Sequence, residues 1–345
     1  MDLVIGGSGF IGSHLVDLLL AAGRPVRVLD IKPWPDGLPA PQEVVPGDIR
    51  DSEAVLRAVQ GCGRVFHLAA NPMLWIRDPA VFDQINRQGT ENVIAAVRKA
   101  GVRQLVYTST ESILTPRGHK GPITEDVRVS AEDQLGPYCL SKYLGEKAVF
   151  RFAAEGFNAV VVNPTMPLGP GDRNLTPPGR MVRNFLQGKI KGYIDCTLNF
   201  VDVRDAAMGH VLAAERGIPG RRYILAGHDL SVRDLLAMVA AETGRTPPSM
   251  RVPYNVALAF SHVEEAWGKL TGRPPLSSVT GVRLCGRSMA FDGRRTWMEL
   301  GRYQVRPLID TVRETVRWHL AEMRKAAQDR LQPSMSQPAS RAPAK

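Results

Sequence analysis

Three glycines, Gly6, Gly9 and Gly12, follow directly on the apolar run 3–5 and lead into a helix-patterned stretch, 12–22. A chain that turns from strand to helix in so few residues needs positions without side chains. Glycines spaced by three let that turn lie close against a phosphorylated ligand, whose charge then faces the helix N-terminus beside Phe10 and Ile11. Such a run alone also describes ordinary strand-to-helix turns. Asp30 completes it. This carboxylate ends the next apolar run, 26–29, where it can accept hydrogen bonds from both ribose hydroxyls of an adenosine. A 2'-phosphate would meet like charge there, so NAD is expected over NADP, with Lys32 and Arg50 the nearby cations that would soften the preference.

Short apolar runs at 3–5, 26–29, 44–46, 64–68, 104–108 and 159–162 alternate with amphipathic stretches at 12–22, 53–60, 85–100 and 138–155. This alternation predicts β-α-β units and an α/β fold, a Rossmann-type doubly wound parallel sheet with a smaller, interleaved C-terminal substrate-binding region. The NAD-binding domain is expected over 1–165, with 199–216 returning to it as one more strand and helix. The substrate-binding region is expected over 166–198 and 217–325, beginning in the Gly- and Pro-rich stretch 164–179. Further helices are predicted at 232–243, 256–270 and 308–325. The amphipathic 256–270 stretch is expected to pack its apolar face on the core, the alternative being a lipid-facing lid. The Pro-, Ser- and Ala-rich end, 332–345, is expected to be a disordered tail.

Hydrophobic residues at 44% against 23% charged exclude extensive disorder. No apolar run is long enough to cross a bilayer. The chain enters a strand immediately after Met1, which leaves no room for a cleavable leader and predicts a cytoplasmic protein. Cys62, Cys139, Cys196 and Cys285 show no paired spacing, so reduced thiols and no metal site are expected. The net charge of +10 is carried by arginines scattered rather than clustered with aromatics, which disfavours nucleic acid as a partner. The basic stretch containing Arg313, Arg317, Arg324, Lys325 and Arg330 is read as a solvated helix face, with peripheral membrane contact left open.

Tyr138 and Lys142 are four residues apart, so on a helix they share a face. A phenol is a poor base at neutral pH, but an adjacent ammonium and a positive nicotinamide favour its phenolate, which can then exchange a proton with a substrate oxygen. The fifth apolar run ends in Tyr107-Thr108-Ser109-Thr110, which puts hydroxyls at the carboxyl end of the sheet. Thr110 is the candidate to hydrogen-bond the reacting oxygen. Asp48 and Ile49 are expected to flank the adenine, and Ala69, Ala70 and Asn71 to run beside the cofactor. Asn86 is expected to organise the site, and Thr108 to border the cofactor. Candidate substrate contacts are Met73, in an apolar wall with Leu74 and Trp75, together with Glu111 and Asn199. A small molecule is the expected partner.

From Gly6 through Tyr138-x-x-x-Lys142 to Leu300-Gly301 and Trp318, the chain resembles the extended short-chain dehydrogenase/reductase superfamily of NAD-dependent epimerases and dehydratases. Asn163-Pro164-Thr165, Gly169-Pro170, Thr176-Pro177-Pro178-Gly179-Arg180 and Tyr193-Ile194-Asp195 are most similar to the hopanoid-associated sugar epimerase group, relatives of dihydroflavonol reductases. The resemblance implies a catalytic set carried by Thr110, Tyr138 and Lys142, with Lys142 also holding the nicotinamide ribose and Asn163, Pro164 and Thr165 bordering the nicotinamide. It also implies a homodimer through helices 85–100 and 138–155. Three departures bear on the substrate. Asp30-Ile31 stands where flavonoid-type reductases carry an NADP-binding Arg, and Leu198 where nucleotide-sugar epimerases carry an Arg for the diphosphate. Thr110-Glu111-Ser112 replaces the Thr-Asp-Glu of sugar dehydratases. The expected activity is hydride transfer between nicotinamide C4 and a secondary alcohol or ketone on a hopanoid-linked or other non-nucleotide substrate. The alternatives are a nucleotide-sugar 4-epimerase holding NAD tightly and a non-catalytic dinucleotide sensor.

Overall fold

The computed structural model describes residues 1–301 and 305–331; the tail expected over 332–345 lies outside the described residues. In chain order the N-terminal elements are β1 (Asp2–Ile5), α1 (Phe10–Ala21), β2 (Val26–Asp30), β3 (Glu43–Pro46), α2 (Ser52–Val59), β4 (Arg64–His67), α3 (Ala80–Phe82), α4 (Gly89–Lys99), β5 (Gln104–Thr108), α5 (Gly136–Ala154) and β6 (Ala159–Pro164). A π-helical stretch, Asp83–Gln88, joins α3 to α4. There follow β7 (Met166–Leu168), α6 (Pro177–Leu186), β8 (Gly192–Tyr193), β9 (Thr197–Asp202), α7 (Val203–Arg216), β10 (Arg222–Leu225), β11 (His228–Ser231), α8 (Val232–Thr243), β12 (Met250–Arg251), α9 (Tyr254–Thr271), α10 (Val279–Cys285), α11 (Arg294–Leu300) and α12 (Leu308–Leu331).

Every residue of β1, β5 and β6 is buried, as strands covered on both faces require. They belong to a seven-stranded sheet in the order β10-β6-β5-β4-β1-β2-β3, in which every pairing is parallel. Chain order reverses direction between β1 and β4, so a crevice opens at their carboxyl ends, where open α/β sheets bind ligands. One face of the sheet packs on Leu15, Val16 and Leu19 of α1 and on α7. The other packs on Val55 of α2, Val93 and Val97 of α4 and Val149 of α5. A third core holds Phe185, Leu235, Leu236, Val312 and Val316, and reaches Phe82 and Tyr138.

The 199–216 segment behaves differently in its two halves. Helix α7 packs on α1 at the main sheet, but β9 does not join that sheet. It pairs in parallel with β7 (Met166 opposite Phe200) and antiparallel with β11, in a separate three-stranded sheet. The reason is that β10 takes the free edge of β6, in register Arg222 opposite Val161, after α7 has crossed the sheet.

The expectation for 256–270 is overturned. Helix α9 fully buries only Ala257, Ser261 and Gly268, and leaves Val256, Phe260, Val263, Trp267 and Leu270 exposed. Small residues let it seat closely: a Cβ at Gly268 would come within 3.1 Å of the Trp75 ring and 2.8 Å of the Arg273 carbonyl. All four cysteines are free. Among the described residues no helix is long and apolar enough to cross a membrane, and no His, Cys, Asp and Glu cluster suits a metal ion.

Candidate active site

The crevice is a cleft of about 600 Å³ that runs from the turn after β1, past the ends of β4 and β5, to α5 and α10. Its first wall is the glycine turn. Gly6 has φ +84°, and a Cβ there would sit 2.6 Å from the Ala69 amide nitrogen; a Cβ at Gly12 would meet the Gly6 carbonyl at 2.2 Å. At Gly9 only that carbonyl, 3.0 Å away, is near, so this position opens to the cleft. Gly9 is also the N-cap of α1, with no side chain bonding the helix N-terminus. The free amides of the first turn and a backbone cradle that side chains would fill fit a pyrophosphate.

Asp30 lines the same cleft. Its Oδ2 accepts from the Ser8 amide at 3.0 Å and its Oδ1 from the Lys32 amide at 2.9 Å, which fixes the carboxylate beside the glycine turn. Burial raises its pKa above the ordinary value, against those amide bonds. Of the two cations expected to soften its charge, Lys32 still lowers the Asp30 pKa, and Arg50 is engaged elsewhere. Arg50 is tied to Asp48 at 2.6 Å, and Lys32 Nζ donates to Asn174. Asp48, held below the usual carboxylate range by Arg50, still lines the cleft with Ile49, as do Ala69, Ala70 and Asn71.

The second wall is chemical. Tyr138 and Lys142 are both buried on α5, with Tyr138 edge-on to Phe82. Lys142 Nζ donates to the Tyr107 hydroxyl at 3.0 Å and to the Thr108 carbonyl at 2.7 Å. Burial brings Lys142 down to about 7, opposed by the Glu146 carboxylate one turn along α5. Tyr138 is shifted the other way. Burial foremost, then the nearby Glu111 charge, raise its phenol, and a Thr110 hydrogen bond opposes them. Lys142 was expected to hold Tyr138 toward the phenolate, yet its hydrogen bonds go to Tyr107 and Thr108 instead.

Thr110 stands at the end of β5 and caps the 3₁₀ turn Glu111–Ile113. Its hydroxyl donates to Glu111 Oε2 at 2.7 Å, while Ser112 Oγ donates to Glu111 Oε1 at 3.1 Å. Glu111 is buried and lines the cleft, and burial raises its pKa against these bonds. The Thr108 hydroxyl is bonded to His210 Nε2 at 2.8 Å, beneath the cleft. Met73, Leu74, Met166, Pro178 and Leu284 form the apolar far end.

Three expected site residues do not line the cleft. Asn86 works from behind: its Oδ1 accepts from the Asn71 amide at 2.8 Å and its Nδ2 donates to Ser141 Oγ at 3.0 Å. Asn163 is fully buried, its Nδ2 bonded to the Thr110 carbonyl at 3.1 Å and to Glu146 Oε2 at 2.9 Å; Pro164 and Thr165 do reach the cleft. Asn199 is buried in the small sheet, where it bonds Asp229 at 2.7 Å and the Gly227 amide at 2.8 Å. Its side chain is thus engaged within that sheet and does not line the cleft. Tyr107, expected only as one of the hydroxyls at the sheet end, is the partner of Lys142, and the buried Glu146, paired with Arg222, is a residue the sequence reading did not name. The Tyr138, Lys142, Glu146 spacing, one turn each on one helix face, was the available signal for Glu146.

The chain is similar to known proteins along most of its length. The model of the NAD dependent epimerase/dehydratase family matches residues 3–226. A putative dihydroflavonol 4-reductase of Synechocystis is 36% identical over 304 residues, covering 86% of this chain and 88% of its own. A 2-alkyl-3-oxoalkanoate reductase of Stenotrophomonas maltophilia is 32% identical, covering 82% and 88%. The crystal structure of gox2253 superposes with a TM-score of 0.81 at 33% identity, over 94% of this chain and 99% of that one. A glycine cradle at the β1–α1 turn, a carboxylate at the end of β2 and a Tyr-x-x-x-Lys helix on one cleft thus accompany matches along most of the chain: it is an NAD-dependent enzyme of the epimerase/dehydratase family, within the extended short-chain dehydrogenase/reductase superfamily.

Proposed function

We propose that the chain interconverts a secondary alcohol and its ketone, with Tyr138 as acid and base, on an apolar substrate without a nucleotide handle. The observation that carries this reading is the meeting of Thr110, Tyr138 and Lys142 with the glycine turn on one cleft. NAD, when bound, supplies the hydride acceptor or donor at its nicotinamide. Gly6, Gly9 and the first turn of α1 would hold its pyrophosphate, Asp30 the adenosine ribose, and Lys142 the other ribose. Tyr138 exchanges a proton with the substrate oxygen, and Thr110 orients that oxygen by a hydrogen bond. On this reading 1–165 with α7 carries the dinucleotide, and 166–198 with 217–325 shapes the substrate end.

Two features support an apolar substrate. The far end of the cleft is walled by Met73, Leu74, Met166, Pro178 and Leu284. Leu198, at the position where nucleotide-sugar relatives carry an Arg, is buried in the C-terminal core and offers no cation to a diphosphate. The reading also expects a cytoplasmic homodimer formed through α4 and α5.

The test is to assay purified protein for retained nucleotide, then follow absorbance of NADH with a panel of apolar secondary alcohols and ketones, and with UDP-sugars. Net NADH change on an apolar member, and none on UDP-sugars, is expected. Turnover of a UDP-sugar without net NADH would replace the reading with a nucleotide-sugar 4-epimerase. Binding of NAD without turnover of any member, unchanged in Tyr138→Phe, would favour a sensor.

A further inference from the structure

We propose that α9 docks the protein on a bilayer surface bearing anionic headgroups. Val256, Phe260, Val263, Trp267 and Leu270 are 58%, 47%, 67%, 61% and 77% exposed. Their spacing of four, three, four and three puts them on an arc of roughly 80° of the helix surface at 3.6 residues per turn. Ala259 and Ala266, also exposed, extend the stripe. This is the reverse of ordinary amphipathic packing, since the side facing the body is made of Ala257, Ser261 and Gly268 while the large side chains face outward.

The charges around the stripe suit an acidic surface. Glu264 and Glu265 are turned toward the body, where they accept from the Leu276 amide at 2.9 Å and the Val279 amide at 2.7 Å. Lys269 and Arg273 are exposed and have no acidic partner among the described residues. Arg77, also exposed, lies against Gly272 at the end of the helix. Arg77 and Arg273 therefore sit at the C-terminal end of α9, just past Leu270, while Lys269 lies about 100° round the helix from Leu270. An amphipathic helix with aromatic and aliphatic residues on one side and cations beside them lies in the interface of an anionic bilayer.

A second copy of the chain fits the stripe less well. One helix face about 20 Å long and ~10 Å wide offers far less than the ~800 Å² per partner of a stable interface. α9 packs on α10, whose Leu284 lines the cleft, and its Gly268 abuts Trp75, next to Met73 and Leu74 of the apolar wall. Docking through this face sets the substrate end of the cleft beside the bilayer. That last step alone rests on the alcohol and ketone reading above.

The test is flotation of the full chain, without substrate or NAD, on phosphatidylcholine vesicles with and without phosphatidylglycerol. Binding to the phosphatidylglycerol vesicles is expected, with at least a tenfold loss in Val263→Glu/Trp267→Glu and a smaller loss in Lys269→Glu/Arg273→Glu. The melting temperature and NADH binding of each variant should stay unchanged, because these side chains are in water. Absence of vesicle binding by the natural chain overturns the proposal. So does vesicle binding that Val263→Glu/Trp267→Glu leaves intact, which would place the contact on another surface such as basic α12. A dimer without vesicle affinity that this variant splits overturns it in favour of self-association.

Discussion

Thr110 gives its hydroxyl proton to the buried Glu111 carboxylate, 2.7 Å away. A hydroxyl has one proton, so while Thr110 keeps this bond it can only accept from a substrate oxygen; a protonated Glu111 can donate to Thr110 and release that proton toward the cleft. The Glu111 charge also raises the Tyr138 phenol, so this carboxyl bears on both groups proposed to act on the substrate oxygen.

Replacing Glu111 by Gln is expected to stabilise the protein, and more so at high pH. Burial raises the Glu111 pKa above its unfolded value, so its ionisation costs stability that grows as pH rises from the unfolded toward the folded pKa. Thermal melts at pH 5 and pH 8 check the sign: the melting temperature should rise by roughly 1–2 °C at pH 8 and by less at pH 5. A loss at pH 8 would mean that the carboxylate's hydrogen bonds outweigh its desolvation.

Tyr138→Phe should lower kcat by about 10²–10⁴ on the substrate the panel reveals, the usual contribution of a positioned acid and base. NADH affinity, by fluorescence titration, should change less than about threefold, because the lost group is proposed to touch the substrate and not the dinucleotide.

The affinity for NAD should fall as pH rises through neutrality. Lys142, brought down to about 7 by burial, carries its charge below that pH and loses it above. Hydrogen bonds from the charged form to a ribose are roughly twice as strong, so about a tenfold loss between pH 6 and pH 9 is expected. Lys142→Met should bind weakly with no such slope, measured by the same titration.

Asp30→Ala should bring NADPH binding up toward that of NADH. On the proposed reading the carboxylate would face a 2'-phosphate, while Arg50 is paired with Asp48 and Lys32 Nζ donates to Asn174. Removing one unit charge within a few ångströms should shift the NADH to NADPH affinity ratio by about tenfold or more. An unchanged ratio would mean that another group reads the ribose.

What could be read along the chain were features set by neighbours in sequence. The glycine turn with Asp30 followed from local backbone requirements, the parallel sheet from the alternation of apolar runs with helices, and the common face of Tyr138 and Lys142 from helical pitch. Each is announced by short local patterns along the chain, and the folded chain keeps those patterns. Tertiary structure decided what depends on distant partners. It turned Lys142 toward Tyr107 on β5, set Asn163 against Glu146 rather than the cleft, and took Asn199 into the small sheet because β10 holds the edge of β6. It also made Glu111 a buried carboxyl, since burial comes from the elements packed around it. Helix α9 shows the division most plainly. Its amphipathic period is legible at once, but which side met the body was settled by Gly268 fitting against Trp75, a close approach that period alone does not contain.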